Sequence, residues 1–174
     1  MLPVPALESL AALLEYPREG AAERAQAARA ALLAAAPAVA VACEPFLAHL
    51  SSAPLHDLEE LYARTFDWSP ERALEIGWHL YGEQYDRGAF LVRMRERLRA
   101  HGVEEGQDLP DHLATLLRLL ARTGPVEAED LCARHLRPAL ERLVKGFESS
   151  AGNPYADVVK AVREAVAGEG GNDR

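Results

Sequence analysis

Two of the three β-branched residues are nearly missing from this chain: isoleucine occurs once in 174 residues, at Ile76, and threonine three times. Such residues favour pleated sheet, so their scarcity speaks against strands. Cysteine occurs twice, at Cys43 and Cys132, far apart and without a Cys-x2-Cys pair, which excludes a zinc ribbon or a redox motif. No glycine-rich loop leads into Lys and Ser or Thr; Gly82 and Gly88 stand six residues apart without them, so nucleotide binding is unsupported. No apolar run reaches the ~18 residues a membrane span requires. The opening Met1-Leu2-Pro3-Val4-Pro5 carries no basic leader. Together with two thiols read as reduced, this leads us to expect a soluble, cytoplasmic protein with no direct membrane insertion. Positive charge is also short, with 19 Lys and Arg against 27 Asp and Glu, a net charge of -8. That sign is wrong for displacing counterions from phosphates, so no nucleic-acid partner is expected, whereas a basic peptide suits such a surface.

What is present is mostly Ala, Leu, Glu and Arg, all good helix formers. The expectation is an all-α, single-domain irregular bundle of about eight to ten helices over residues 1–167, with the Gly-rich polar stretch 168–174 as a disordered tail. Leu7, Leu10 and Leu14 make the stripe of a first helix ended by Tyr16-Pro17 and Gly20. An Ala-rich helix follows from 21 to 36, then one restarted by Pro37 that Pro45 should kink or divide. Ser51-Ser52-Ala53-Pro54 reads as the cap of the next helix, where Leu55, Leu58, Tyr62 and Phe66 recur at helical steps. After the break at Asp67-Trp68-Ser69-Pro70, with Ser69 a candidate N-cap, a helix through Leu74, Ile76, Trp78, Leu80 and Tyr81 is apolar on nearly all sides and is expected at the centre of the core. A helix from Glu83 to Ala100 is closed by His101-Gly102. Asp108 is expected to cap the next, with Pro110 and Asp111 in its first turn. The stretch 126–150 reads as helix divided at Pro138, and Asn153-Pro154 opens the last helix.

No residue pattern marks a catalytic site. The six histidines form no His-x3-His pair, no Ser or Cys sits in a nucleophile elbow, and neither a metal nor a cofactor is expected. Gly82 and Gly88 weaken a helix by about 1 kcal/mol each, which something should compensate. Close packing at those glycines with Glu83 and Arg87 paired at i and i+4 is one reading; a role for Arg87 in partner binding is the other. Asp111 either stabilises a helix start or, on the face with Thr115, Arg118 and Arg122, stands exposed to meet a basic peptide. Tyr62, Phe66, Trp78, Tyr81 and Tyr85 read as core, with Trp68 the aromatic best placed on a partly exposed groove.

Three ordered runs carry a resemblance: Tyr62-x3-Phe66-Asp67; His79-x-Tyr81-Gly82-Glu83-x2-Asp86-Arg87-Gly88; and Leu109-Pro110-Asp111-His112-Leu113. They resemble the NarJ-type chaperones, assembly factors of respiratory nitrate reductase within the wider TorD/DmsD-like family. Weaker similarity reaches back to Leu13-Leu14-Glu15-Tyr16-Pro17. Relatives often have a second His where this chain has Tyr81, and Leu-Pro-Asp-His fits the nitrate reductase branch better than the others. The resemblance implies an all-helical cytoplasmic chaperone with no cofactor of its own, monomer or homodimer. Its partner would be the apo catalytic subunit of nitrate reductase, including that subunit's N-terminal peptide, held until the molybdenum cofactor is inserted. The partner-binding candidates are Asp67, Trp68, His79, Glu83, Asp86, Arg87, Asp111 and His112, with Tyr62, Phe66, Gly82, Gly88 and Pro110 as the structural part of the motif. A chaperone of another molybdoenzyme of the DMSO reductase type is the neighbouring alternative. A helical enzyme or small-molecule binder is the distant one, and it requires Asp86, Arg87, Asp111 and His112 to converge in one pocket.

Overall fold

The computed structural model describes residues 1–167; the expected tail, 168–174, lies outside the described residues. Ten α-helices run in chain order: α1 Val4–Leu13, α2 Ala21–Ala35, α3 Pro37–Ser52, α4 Leu55–Tyr62, α5 Ile76–Tyr81, α6 Tyr85–Ala100, α7 Leu113–Leu120, α8 Pro125–Leu131, α9 Arg137–Gly146 and α10 Tyr155–Val166. There is no strand among the described residues. The bundle is all-α, as the helix-forming composition led us to expect.

Helix α7 occupies the centre: seven of its eight residues are buried and only Arg118 reaches partly outward. A leucine run that is apolar nearly all round has no solvent face to offer, so its neighbours must surround it. Helix α1 packs on α2 and α7, α2 against α3, α10 on α3 and α9, and α5 on α6 and α9. One hydrophobic core joins them. Within it an aromatic chain runs from Tyr16 through Tyr62, with ring centroids 5.3 Å apart, to Phe66 at 5.0 Å, Tyr155 at 4.7 Å and Phe46 at 4.5 Å. Tilted and edge-on pairs of this kind add to the burial of the rings themselves.

Several local expectations give way to tertiary structure. The stretch expected as the central helix is instead a 3-10 turn at Pro70–Arg72, an extended link and the short α5. Residues 74–76 leave the helix because they pair with 111–113: Ile76 N–H donates to Asp111 O at 3.0 Å and Leu113 N–H to Leu74 O at 2.8 Å, an antiparallel bridge at Glu75 and His112. Trp78, Leu80 and Tyr81 are consequently half-buried, and Tyr85 is 92 % exposed. Pro45 does not divide α3; it lies on the exposed side, where the unpaired Val41 carbonyl meets solvent. Ser51 and Ser52 do not cap α4 but bond back to Leu47 O and Ala48 O at the end of α3. At Pro138 the α8–α9 rod passes through a π turn, Cys132–Leu136, whose wider i→i+5 spacing accommodates a residue that has no N–H to give. The rod ends at Gly146, not near Ser150. A Cβ there would stand 2.3 Å from Glu71 O, so only glycine lets the 3-10 turn cross α9 so closely.

Candidate functional site

A cleft of about 1170 Å³ opens between the end of α1, the 67–78 segment, the start of α6 and the loop 102–108. Its floor is apolar and aromatic, with Leu13, Tyr62, Phe66, Leu74 and Tyr155, and its walls carry charge. The acids are Glu15, Asp67, Glu75, Glu104, Glu105 and Asp108; the bases are Arg18, Arg24, Arg87, Arg118 and Arg122.

Most of the bases are engaged by other groups. Arg118 joins Glu15 and sits 3.6 Å from Glu8 Oε2, tying α7 to α1. Arg24 donates to backbone carbonyls of Glu19 and Arg18, and Arg122 to Gly102 O at 3.0 Å. Arg87 lies over the Trp78 ring, 5.6 Å from its centroid. Glu105 accepts both of its bonds from Arg95 Nε at 2.8 and 2.9 Å. Asp67, Glu75 and Asp108, by contrast, have no salt-bridge partner among the described residues. Burial and the Asp108 charge push the Asp67 carboxyl above its ordinary range, and His112 opposes this.

The motif residues divide into three groups. His112 caps α7: its Nδ1 accepts Ala114 N–H at 3.3 Å, which assigns the neutral tautomer with the proton on Nε2. That Nε2 faces Tyr62 Oη at 3.4 Å, and the hydroxyl in turn lies 3.4 Å from Leu14 O. Burial holds His112 below the usual histidine value although Asp108, Glu75 and Glu15 pull it up, and burial drives the Tyr62 phenol upward. Tyr62, Phe66, Asp67, Arg87 and His112 all line the cleft.

Asp111 corrects its expectation most sharply. It is 0 % exposed and belongs to no helix start; α7 begins only at Leu113, with His112 and not Asp108 as its N-cap. Its Oδ2 accepts Gly77 N–H at 2.7 Å and its backbone carbonyl accepts Ile76 N–H, so it caps α5 across space. Its Oδ1 has no hydrogen-bond partner, and desolvation raises its pKa against the pull of the Gly77 bond and of Arg87. Pro110 is buried beside it.

The third group lies elsewhere. His79 is buried with its Nε2 2.7 Å from Ala73 O, its pKa lowered by burial and by Arg142, and it borders a smaller, open depression together with Gly82. Glu83 and Asp86 are exposed and do not line the cleft. Glu83 precedes α6 and makes no ion pair with Arg87, because the chain turns at Gly82, φ 57°, and Gln84 before the helix begins. The glycines do not mark close packing either: a Cβ at Gly82 or Gly88 would meet nothing within 4 Å. Asp86, Arg87, Asp111 and His112 therefore do not converge in one pocket. Trp68 is 71 % exposed, beside the cleft and not in its lining.

Sequence reading missed Gly77, Arg72 and Tyr155. A glycine inside the apolar run Ile76-Gly77-Trp78 was a signal of close approach. Arg72 binds Thr65 O at 2.9 Å, Gly146 O at 3.1 Å and Ser69 Oγ, and stands 5.9 Å from the Phe147 ring, gathering three segments behind the cleft. Nothing local announces this.

No group of three or more His, Cys, Asp or Glu among the described residues is placed to hold a metal ion, and no helix there is long and apolar enough to cross a membrane. The fold and site thus define an all-helical protein organised around one large, open, charge-lined cleft. A family model described as nitrate reductase delta subunit matches residues 6–160, and the chain belongs to that family. Among curated proteins it is similar to the nitrate reductase molybdenum cofactor assembly chaperone NarJ of Escherichia coli strain K12, 32 % identical over 84 residues covering 48 % of this chain and 36 % of that one. The protein of the same name in Escherichia coli O157:H7 matches with the same figures. The aligned stretch thus spans 36 % of the length of the curated relatives it matches.

Proposed function

We propose that this chain is a cytoplasmic assembly chaperone for a molybdenum-dependent nitrate reductase. It binds the apo catalytic subunit, including that subunit's N-terminal segment, and keeps it open to cofactor insertion; it makes and breaks no bonds itself. The observation that carries the reading is a coincidence of two lines. The family match runs across residues 6–160, and the motif residues Tyr62, Phe66, Asp67, Arg87 and His112 meet in the lining of one cleft. An apolar floor with charged walls suits an amphipathic segment, whose apolar anchors are buried while its basic groups meet carboxylates at the rim. Groove shape then sets selectivity, and the net charge of -8 favours encounter with a basic segment.

Co-expression with the catalytic subunit in a strain unable to make the cofactor tests this. A stable complex with the apo subunit, lost once cofactor is supplied, is the expected outcome. Absence of any complex, together with full cofactor loading of nitrate reductase in a strain deleted for this chain, overturns it.

A further inference from the structure

Helix α6 packs chiefly on α5, and Phe90, Met94 and Leu98 turn its apolar side to the core. On the opposite side, Tyr85, Gly88, Ala89 and Val92 share one face at about 100° per residue, and all four are exposed. Tyr85 is 92 % exposed and Val92 53 %, two large apolar side chains two turns apart with only a glycine and an alanine between them on that face. Single apolar residues on a surface need no explanation, but two in register on one helix face make a patch. Asp86 and Arg93, also exposed and also seven residues apart, stand together on one flank of it. The ion pairs of α6 run instead from Arg95 to Glu105 and from Arg97 to Glu127 and Asp130, so Asp86 and Arg93 have no ion-pair partner among the described residues.

We propose that this face is the seam of a homodimer in which α6 packs antiparallel on α6 of a second copy. A two-fold axis passing between Gly88 and Ala89 sets Gly88 against the partner's Ala89 and Tyr85 against the partner's Val92, and the same contacts recur on the other side of the axis. The low relief at Gly88 and Ala89 lets the two helices approach where they cross. In an antiparallel pair like flanks meet, so Asp86 comes beside the partner's Arg93, offset by two residues or about 3 Å along the axis, within the reach of an arginine side chain. A parallel pairing would set acid against acid and base against base, so charge selects the antiparallel one. The face complements itself, large side chain for large and acid for base, and that points to a second copy of this chain. None of Tyr85, Gly88, Ala89 and Val92 lines the cleft, so the seam does not depend on what the cleft binds. A contact of about three turns is smaller than the ~1,200 Å² of stable complexes, so the dimer exchanges with monomer and fills at roughly tens of micromolar.

Sedimentation velocity of the full chain over a concentration series from roughly 5 to roughly 500 μM tests the seam. The average mass is expected to climb toward twice that of the chain, and to climb less at high salt, which screens exposed pairs. Asp86→Arg sets arginine against arginine at both ends of the seam, and Arg93→Asp sets carboxylate against carboxylate, so each variant alone should associate at least about tenfold more weakly. Mixed one to one, the two variants regain an opposite-charge pair at both ends, and the dimer should return. Val92→Glu, which puts a charge against the partner's Tyr85, should also weaken association, with circular dichroism showing all three exposed-site variants folded. A parent chain that stays monomeric throughout the series, association unchanged in the three variants, or a mixture no better associated than its two components would overturn the seam. If the parent stays monomeric and Val92→Glu abolishes the complex with the apo subunit, the face belongs to the client and not to a second copy.

Discussion

The carboxylate of Asp111 accepts the backbone N–H of Gly77 at 2.7 Å, thirty-four residues away in sequence. The bond ties the third motif run to the segment just before the second: it caps α5, holds the 74–76 link against 111–113 and so shapes one wall of the cleft. A Cβ at Gly77 would lie 2.7 Å from that same oxygen and 2.8 Å from Phe90 Cδ1. Asp111→Ala is expected to lower stability by about 1–3 kcal/mol, the cost of leaving a buried amide unmet. Asp111→Asn, which keeps an acceptor, should lose less, and Gly77→Ala about 1–3 kcal/mol through overpacking. Denaturant titration of the three variants checks the order; an unaffected Gly77→Ala would contradict the packing.

Gly82 and Gly88 should respond in opposite directions, since neither is crowded. Gly82 holds φ 57°, a conformation L side chains rarely adopt, so Gly82→Ala is expected to destabilise by about 1 kcal/mol or more. Gly88 sits in the body of α6 with helical backbone and open space around it, so Gly88→Ala should stabilise by about 0.5–1 kcal/mol. Melting temperatures of the pair decide the matter.

Acid should weaken the fold from about pH 6.5 downward, where an unfolded-chain histidine begins to protonate. His79, His112 and His135 are each held below that value, chiefly by burial, so the unfolded chain binds protons that the folded chain refuses. Stability is then lost as pH falls from the unfolded value toward each folded one, at up to about 1.4 kcal/mol per pH unit for each histidine. Asp111 contributes with the opposite sign: its raised pKa makes the ionised form costly, a contribution lost on acidification from its folded value toward about 3.8. His112→Asn, which can still cap α7, should flatten the slope between about pH 6.5 and 5 as measured by urea midpoints. A slope identical to that of the parent would show that His112 titrates normally.

Arg72 is expected to be the most sensitive arginine. Its side chain is largely buried and bonds Thr65 O, Gly146 O and Ser69 Oγ, so Arg72→Ala should cost about 2–3 kcal/mol. Lysine presents one point of charge instead of a fork, so Arg72→Lys should recover little of the loss. Arg134, exposed and paired with Asp130 one turn away, should cost under about 1 kcal/mol when replaced by alanine. Thermal unfolding of the three variants gives the comparison.

Composition and periodicity determined a good deal of this molecule. The near absence of Ile and Thr, the leucine stripes of α1 and α7, and the breaks at Gly20, Gly82 and Gly102 were enough to read an all-helical chain and most of its segments, although α1 ends at Leu13 and Gly20 opens α2. Tyr62 and Phe66 were legible as buried residues and Trp68 as exposed, because each follows from its own helical register or from the break beside it. Those signals are local, and local signals survive folding wherever no distant group competes for the same backbone.

Tertiary structure decided the rest. The apolar run 74–81 pointed to a long central helix, yet its backbone amides found better partners in 111–113, and α7 took the centre instead. Asp111 read either as a helix-start acid or as an exposed one, and the structure instead buries it against Gly77, a partner no spacing announces. The cleft likewise assembles carboxylates far apart in the chain, Asp67, Glu75 and Asp108, in a lining to which α10 contributes Tyr155. Helical periodicity reports which face of a segment is apolar; which segments meet across that face depends on contacts between residues far apart in the chain, and these exist only after the chain has closed on itself.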